Sequence, residues 1–86
     1  MSAAAEPAVH EISFHEIRRE GRPLVTLRTV VTGAGTVVEA DVYPLTSDGT
    51  ATEPLRRPFP FATPTQAGRF VDEALSSLEY LGCSVV

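Results

Sequence analysis

The chain has no lysine, one cysteine and no long apolar run. A single cysteine, Cys83, excludes an intramolecular disulfide framework and favours a reducing cytoplasm. No apolar stretch approaches the ~20 residues that a bilayer-spanning helix needs. The N-terminus also lacks the charged start and apolar core of a signal peptide. We therefore expect a cytoplasmic protein without membrane partners.

All seven basic side chains are arginine, and alanine, valine, proline and glycine are frequent. We interpret this composition as the codon usage of a GC-rich bacterial genome. The alternative is that arginine is kept for its planar donor geometry. The formal charge of −4 argues against broad attraction to nucleic acid or to anionic membranes.

The length of 86 residues predicts one domain, over residues 9–86, behind a disordered tail at residues 1–8. The core of so small a domain is limited, and association between copies is a common remedy. We therefore expect a homo-oligomer, most simply a dimer.

No catalytic, metal or cofactor motif is present in the sequence. His10 and His15 lie near Glu11 and Glu16, but in a regular strand the two histidines point to opposite faces and do not converge. Cys83 follows a predicted helix, whose C-terminal dipole disfavours a thiolate. The sequence therefore predicts a non-enzymatic protein that holds no metal and no cofactor.

The segment from Thr63 to Gln66 predicts the start of a helix. Thr63 is a good N-cap, Pro64 suits the first helical position, and Gln66 can complete a capping box. The helix is expected from Pro64 to about Leu81, with Gly82 in the left-handed position that ends it. Its apolar stripe consists of Ala67, Phe70, Val71, Ala74, Leu75, Leu78 and Leu81.

Four segments before the helix have the composition and alternation of strands: residues 9–20, 24–31, 37–45 and 55–62. Ile17 is out of phase with Ile12 and Phe14, which predicts a bulge near residues 15–16. Residues 46–54 are predicted to form a polar loop. The side chains expected to face the helix are Ile12, Phe14, Val25, Leu27, Val38, Val42, Phe59 and Phe61.

Pro58 and Pro60 remove backbone donors from the same edge of the fourth strand, which predicts a border strand. The alternative is an unpaired polyproline-like segment. Between the second and third strands, a four-residue turn would place Arg28 opposite Asp41. A two-residue turn would place Arg28 opposite Glu39.

These elements predict an α+β fold, a four-stranded antiparallel meander followed by one C-terminal helix packed on one sheet face. Whether residues 83–86 add a strand stays open. The helix leaves the other sheet face uncovered, and we expect it to mediate self-association or protein binding. That face is predicted to carry Leu24, Thr26, Arg28, Val30, Val37, Glu39, Asp41 and Tyr43.

A meander also brings the first turn and the long loop to the same end of the sheet. Five arginines, which are possible contacts for an anion, are expected there: Arg18, Arg19, Arg22, Arg56 and Arg57. The alternative is local pairing with the acids of the same region, which are Glu16, Glu20, Asp48 and Glu53.

Over residues 9–81, the order of four meandering strands and a proline-marked helix start resembles the whirly-type single-stranded-DNA-binding proteins. These include the transcriptional coactivator family and the Pur-type repeats. The resemblance implies dimers that bind nucleic acid on the sheet face. The chain departs from that pattern in its lack of lysine and in Glu39 and Asp41 on this face. Nucleic-acid binding is therefore the alternative to protein interaction.

Overall fold

One helix lies across a five-stranded antiparallel sheet in the computed structural model, which describes residues 10–44 and 53–86. The elements in chain order are β1 (His10–Arg19), β2 (Arg22–Thr32), β3 (Gly35–Val42), β4 (Leu55–Phe61), α1 (Pro64–Tyr80) and β5 (Ser84–Val85). The sheet order is β4-β3-β2-β1-β5. The predicted meander with a C-terminal helix is confirmed, and β5 extends it by one short strand.

Some predicted segments fall outside this description. The tail at residues 1–8 and most of the polar loop at residues 46–54 lie outside the described residues. The third strand ends at Val42, three residues before the predicted end at Leu45. In the described part of the chain, α1 is too short and too polar to cross a membrane.

The start of α1 is set by side-chain capping. Thr63 has an extended backbone, and its Oγ1 accepts a 3.2 Å hydrogen bond from the backbone N–H of Gln66. Oε1 of Gln66 in turn accepts a 3.2 Å bond from the N–H of Ala62. The donor of this second bond is therefore the residue before the N-cap, and not the N-cap itself. Together the two bonds satisfy N–H groups that the start of the helix would otherwise leave without a partner.

The C-terminus of α1 ends in a Schellman motif. The N–H of Cys83 bonds to the carbonyl of Leu78 at 3.0 Å, and that of Gly82 to the carbonyl of Glu79 at 3.0 Å. Gly82 has φ = 94°, the left-handed conformation predicted for it. The reversal returns the chain to the sheet, where β5 pairs with Ile17 and Arg18 of β1.

The β2–β3 hairpin uses the shorter of the two predicted turns. Thr32 pairs with Gly35, which leaves Gly33 and Ala34 as the turn and places Arg28 opposite Glu39. The four-residue turn is therefore wrong.

β4 is an edge strand paired with β3 over its whole length, so the polyproline alternative is wrong. Pro58 and Pro60 lie opposite Glu39 and Val37. Because N–H groups two residues apart point to the same edge, these prolines remove donors from one edge of β4 only.

The predicted phase of β1 is wrong. Ile12 is an extra residue between the pairs Glu11–Val30 and Ser13–Thr29, and a second irregularity lies between Ile17 and Arg18. The bulge therefore does not lie at residues 15–16. From Ser13 to Ile17 the register is regular, which puts Ile17 at the sheet–helix interface with no exposed surface. Phe14, expected there, is instead 47% exposed, and Ile12 is 52% exposed.

The core lies between α1 and the face of the sheet that α1 covers. Its buried members are Ile17, Leu27, Val38, Ala40, Ala67 and Val71. Phe70 of α1 joins the helix to β4, with ring centroids 5.1 Å from Phe59 and 5.2 Å from Phe61. Leu81, predicted as the last residue of the apolar stripe, is 64% exposed because it caps the helix beyond the core.

Candidate interaction surface

The sheet face opposite α1, here called the outer face, is built by three rows of side chains that cross the strands. Paired residues in neighbouring strands project to the same face, so the register defines these rows. They are Glu16–Thr26–Asp41–Arg56, Phe14–Arg28–Glu39–Pro58 and Glu11–Val30–Val37–Pro60.

Most residues predicted for the uncovered face lie on it, but they do not contribute equally. Thr26 and Val30 are buried between their neighbours, so neither offers much surface to a partner. Leu24 is an unpaired residue of β2 beside β1, and its carbonyl accepts a 2.9 Å bond from the N–H of Tyr43. The accessible part of the outer face is therefore narrower than the sequence predicted.

Arg28 is the centre of the outer face. Its Nε lies 2.9 Å from Oε1 of Glu11, although no hydrogen bond is aligned between them, and its Nη1 lies 4.0 Å from Oε1 of Glu39. Its Cζ lies 5.8 Å from the ring centroid of Phe14, within the range of a cation–π contact. The expected pairing of Arg28 with an acid on the outer surface is confirmed.

Asp41 and Arg56 form a two-pronged ion pair between β3 and β4. Nε of Arg56 donates to Oδ1 of Asp41 at 2.9 Å, and Nη2 donates to Oδ2 at 3.2 Å. The hydrogen bond from Arg56 lowers the pKa of Asp41, because it favours the charged carboxylate. The same bond raises the pKa of Arg56. These two charges are therefore engaged within the chain.

Phe14 is the residue that sequence reasoning missed on this surface. It brings an aromatic ring, almost half exposed, onto the outer face beside Arg28. The sequence position of Ile17 could have identified Phe14 as an outer-face residue. An apolar residue flanked by Glu16 and Arg18 marks the core side of the strand, and alternation counted back from it assigns Phe14 to the opposite face.

The five arginines proposed as anion contacts do not form one cluster. The arginines of β1 lie three strand spacings from those of β4, or about 14 Å, because β2 and β3 lie between these strands. Arg18 is paired with Glu16, and Arg56 with Asp41. Arg57 lies opposite Ala40 on the edge strand, and Arg19 lies opposite Arg22 at the β1–β2 turn.

The histidines do not build a site, for a reason other than the predicted one. The bulge at Ile12 brings His10 and His15 to the same face, opposite Val31 and Leu27. The expectation of opposite faces is thus wrong. The two partners are four residues apart on β2, so the imidazoles are separated by roughly 13 Å along the strand. The described residues hold no group of three or more potential metal ligands.

Cys83 is half buried and packs against the core beside the end of α1.

The fold and this surface define a small α+β protein whose sheet is covered on one face and open on the other. No protein-family model, curated protein or solved structure matches the chain. Its function has to be inferred from its own geometry.

Proposed function

We propose that this chain is a non-enzymatic protein of the bacterial cytoplasm that acts by self-association through the outer face. One observation carries the proposal: Phe14 is 47% exposed on the sheet face that α1 does not cover. Ile12, at the bulge of the same strand, is 52% exposed. Large apolar side chains exposed close together, one of them on an open sheet face, are typical of a contact surface.

The charges of the outer face are compatible with a second copy as the occupant. The acids Glu11, Glu16, Glu39 and Asp41 are each in contact with Arg18, Arg28 or Arg56. Two such faces can therefore approach each other without strong repulsion. A limited core in each copy also favours association, because the interface buries apolar area that one copy leaves in water.

Sedimentation across a range of concentrations tests this proposal. The wild-type chain is expected to dimerise as its concentration rises to high micromolar, and Phe14→Ser is expected to weaken the dimer. Leu81→Ser is the matched control, since Leu81 is also an exposed apolar residue but lies at the end of α1. A wild-type monomer throughout, or an equal loss in both variants, contradicts self-association through the outer face. If the chain is monomeric and binds another protein through Phe14, self-association is wrong and the outer face binds that protein instead.

Single-stranded nucleic acid is the second candidate, supported by the pairing of Phe14 with Arg28. An aromatic ring and a guanidinium on an open sheet are the groups on which unpaired bases stack. The resemblance to whirly-type proteins supports the same assignment, whereas the four acids of the face oppose it. Fluorescence anisotropy with a labelled single strand tests it. Binding that falls steeply with salt and is lost in Phe14→Ser supports this candidate, and absence of binding at low salt removes it.

A further inference from the structure

The β1–β2 turn carries two arginines that the fold leaves opposite each other. Arg19 pairs with Arg22 across the turn, which consists of Glu20 and Gly21 with φ = 53° and 80°. Like charges directly opposite each other destabilise a sheet, and glutamate is rarely found in the left-handed region. Two local preferences are thus violated in one turn.

Most of the other arginines of the sheet contact an acid. Arg18, Arg28 and Arg56 each contact a carboxylate, whereas Arg57 of β4 forms no ion pair among the described residues. Among the described residues, no carboxylate forms an ion pair with Arg19 or Arg22. Two arginines therefore occupy directly opposite positions across the turn without an ion-pair partner among the described residues.

These two arginines also line a cleft. It is an open-sided depression of about 480 Å³ bounded by Arg19, Glu20, Arg22 and Leu24. That volume falls within the roughly 300–1,000 Å³ of small-molecule sites. Arg18 pairs with Glu16 on the outer face, so strand alternation places Arg19 and Arg22 on the helix side of the sheet. The two arginines of the cleft therefore lie on the opposite side of the sheet from the outer face.

We propose that this cleft binds a phosphate group, with Arg19 and Arg22 as a two-sided clamp. Guanidinium groups bind phosphate through paired, charge-assisted hydrogen bonds, and a dianion between them removes their mutual repulsion. Leu24 supplies an apolar wall for the organic part of a small phosphate ester. The carboxylate of Glu20 opposes the anion, which limits the affinity. This site goes beyond self-association and does not depend on it.

A titration followed by backbone amide NMR shifts tests the proposal, with inorganic phosphate and phenyl phosphate as separate probes. Saturable shifts centred on Arg19, Gly21 and Arg22 are expected at millimolar phosphate. Arg22→Gln should weaken binding about tenfold, because it removes one charge-assisted partner. Glu20→Gln should strengthen binding. Arg57→Gln is the matched control, since Arg57 is an arginine on the far edge of the sheet, and it should leave binding unchanged.

A second readout separates the clamp from a general effect of charge. Without phosphate, Arg22→Gln should melt at a higher temperature than the wild type, because the like-charge pair is gone. With phosphate, the wild type should gain more in melting temperature than the variant. If the natural ligand is a phosphate ester, Leu24→Ser should weaken the binding of phenyl phosphate and leave the binding of inorganic phosphate unchanged. Equal binding of both probes in that variant points to free phosphate.

Shifts that never saturate, or an equal loss of binding in Arg57→Gln, would overturn the site. Self-association of the Arg22→Gln variant should match that of the wild type. A failure of the phosphate site is therefore distinguishable from a failure of the outer-face interface.

Discussion

Phe14 of β1 and Arg28 of β2 lie opposite each other on the outer face, with 5.8 Å between the guanidinium carbon and the ring centroid. The contact exists because Ile12 is an extra residue in β1. From Ser13 onward, Phe14 belongs to the open side of the sheet and Ile17 to the core. The bulge at Ile12 therefore places the aromatic ring of Phe14 on the outer face.

The phase of β1 can be tested by comparing two truncations. Ile17→Ala should lower the free energy of unfolding by about 2–5 kcal/mol, because it opens a cavity at a fully buried position. Phe14→Ala should lower it by less than about 1 kcal/mol, since the ring is half exposed. Urea denaturation of both variants measures the difference. If Phe14→Ala costs more than Ile17→Ala, the strand faces assigned here are reversed.

Packing should hold α1 on the sheet more strongly than capping does. Phe70→Ala removes the contacts to Phe59 and Phe61 and should cost about 3–5 kcal/mol of unfolding free energy. Thr63→Ala removes one capping bond and should cost about 0.5–2 kcal/mol. Denaturant melts with unchanged m-values test this order. A neutral Phe70→Ala beside an unfolded Thr63→Ala would contradict the docking of α1 through this stripe.

Thr29 offers a substitution that should not destabilise the fold. Its side chain is 2% exposed, and its Oγ1 has no hydrogen-bond partner among the described residues. Thr29→Val keeps the shape and removes a buried, unsatisfied hydroxyl, so it should be neutral or stabilise by up to about 1 kcal/mol. Thermal unfolding measures the change. A clear loss of stability would mean that this hydroxyl makes a bond in solution.

The Asp41–Arg56 pair should contribute to stability only at higher pH. The hydrogen bond from Arg56 lowers the pKa of Asp41 below the value of 3.8 that an aspartate has in the unfolded chain. The contribution is therefore complete above that unfolded pKa and is lost as pH falls through the folded pKa. Asp41→Asn should be less stable than the wild type at neutral pH, and the two should converge in acid. Urea melts across this range check the trend, and a gap independent of pH contradicts it.

Local chemistry made part of the fold predictable. Thr63, Pro64 and Gly82 specify the ends of α1 through their own backbone preferences, and Pro58 and Pro60 specify an edge strand. The bulge at Ile12 and the pairing of β5 were not predictable in the same way, because they depend on cross-strand partners that are distant in sequence. The prediction of the interaction face was incomplete for the same reason. Most of its β2 and β3 residues lie on the outer face, although Leu24 is unpaired and Tyr43 lies beyond the end of β3. Phe14 was missed because the phase of β1 was counted from Ile12, before the bulge, and not from Ile17.

Amide NMR spectra over a dilution series test the central claim most directly, since they show both whether copies associate and where. The account predicts concentration-dependent shifts at Phe14, Arg28 and Val37 of the outer face, with little change at Tyr80 and Leu81 at the end of α1. Spectra that do not change up to high micromolar concentration, or shifts concentrated at the end of α1, would contradict an interface on the open face of the sheet.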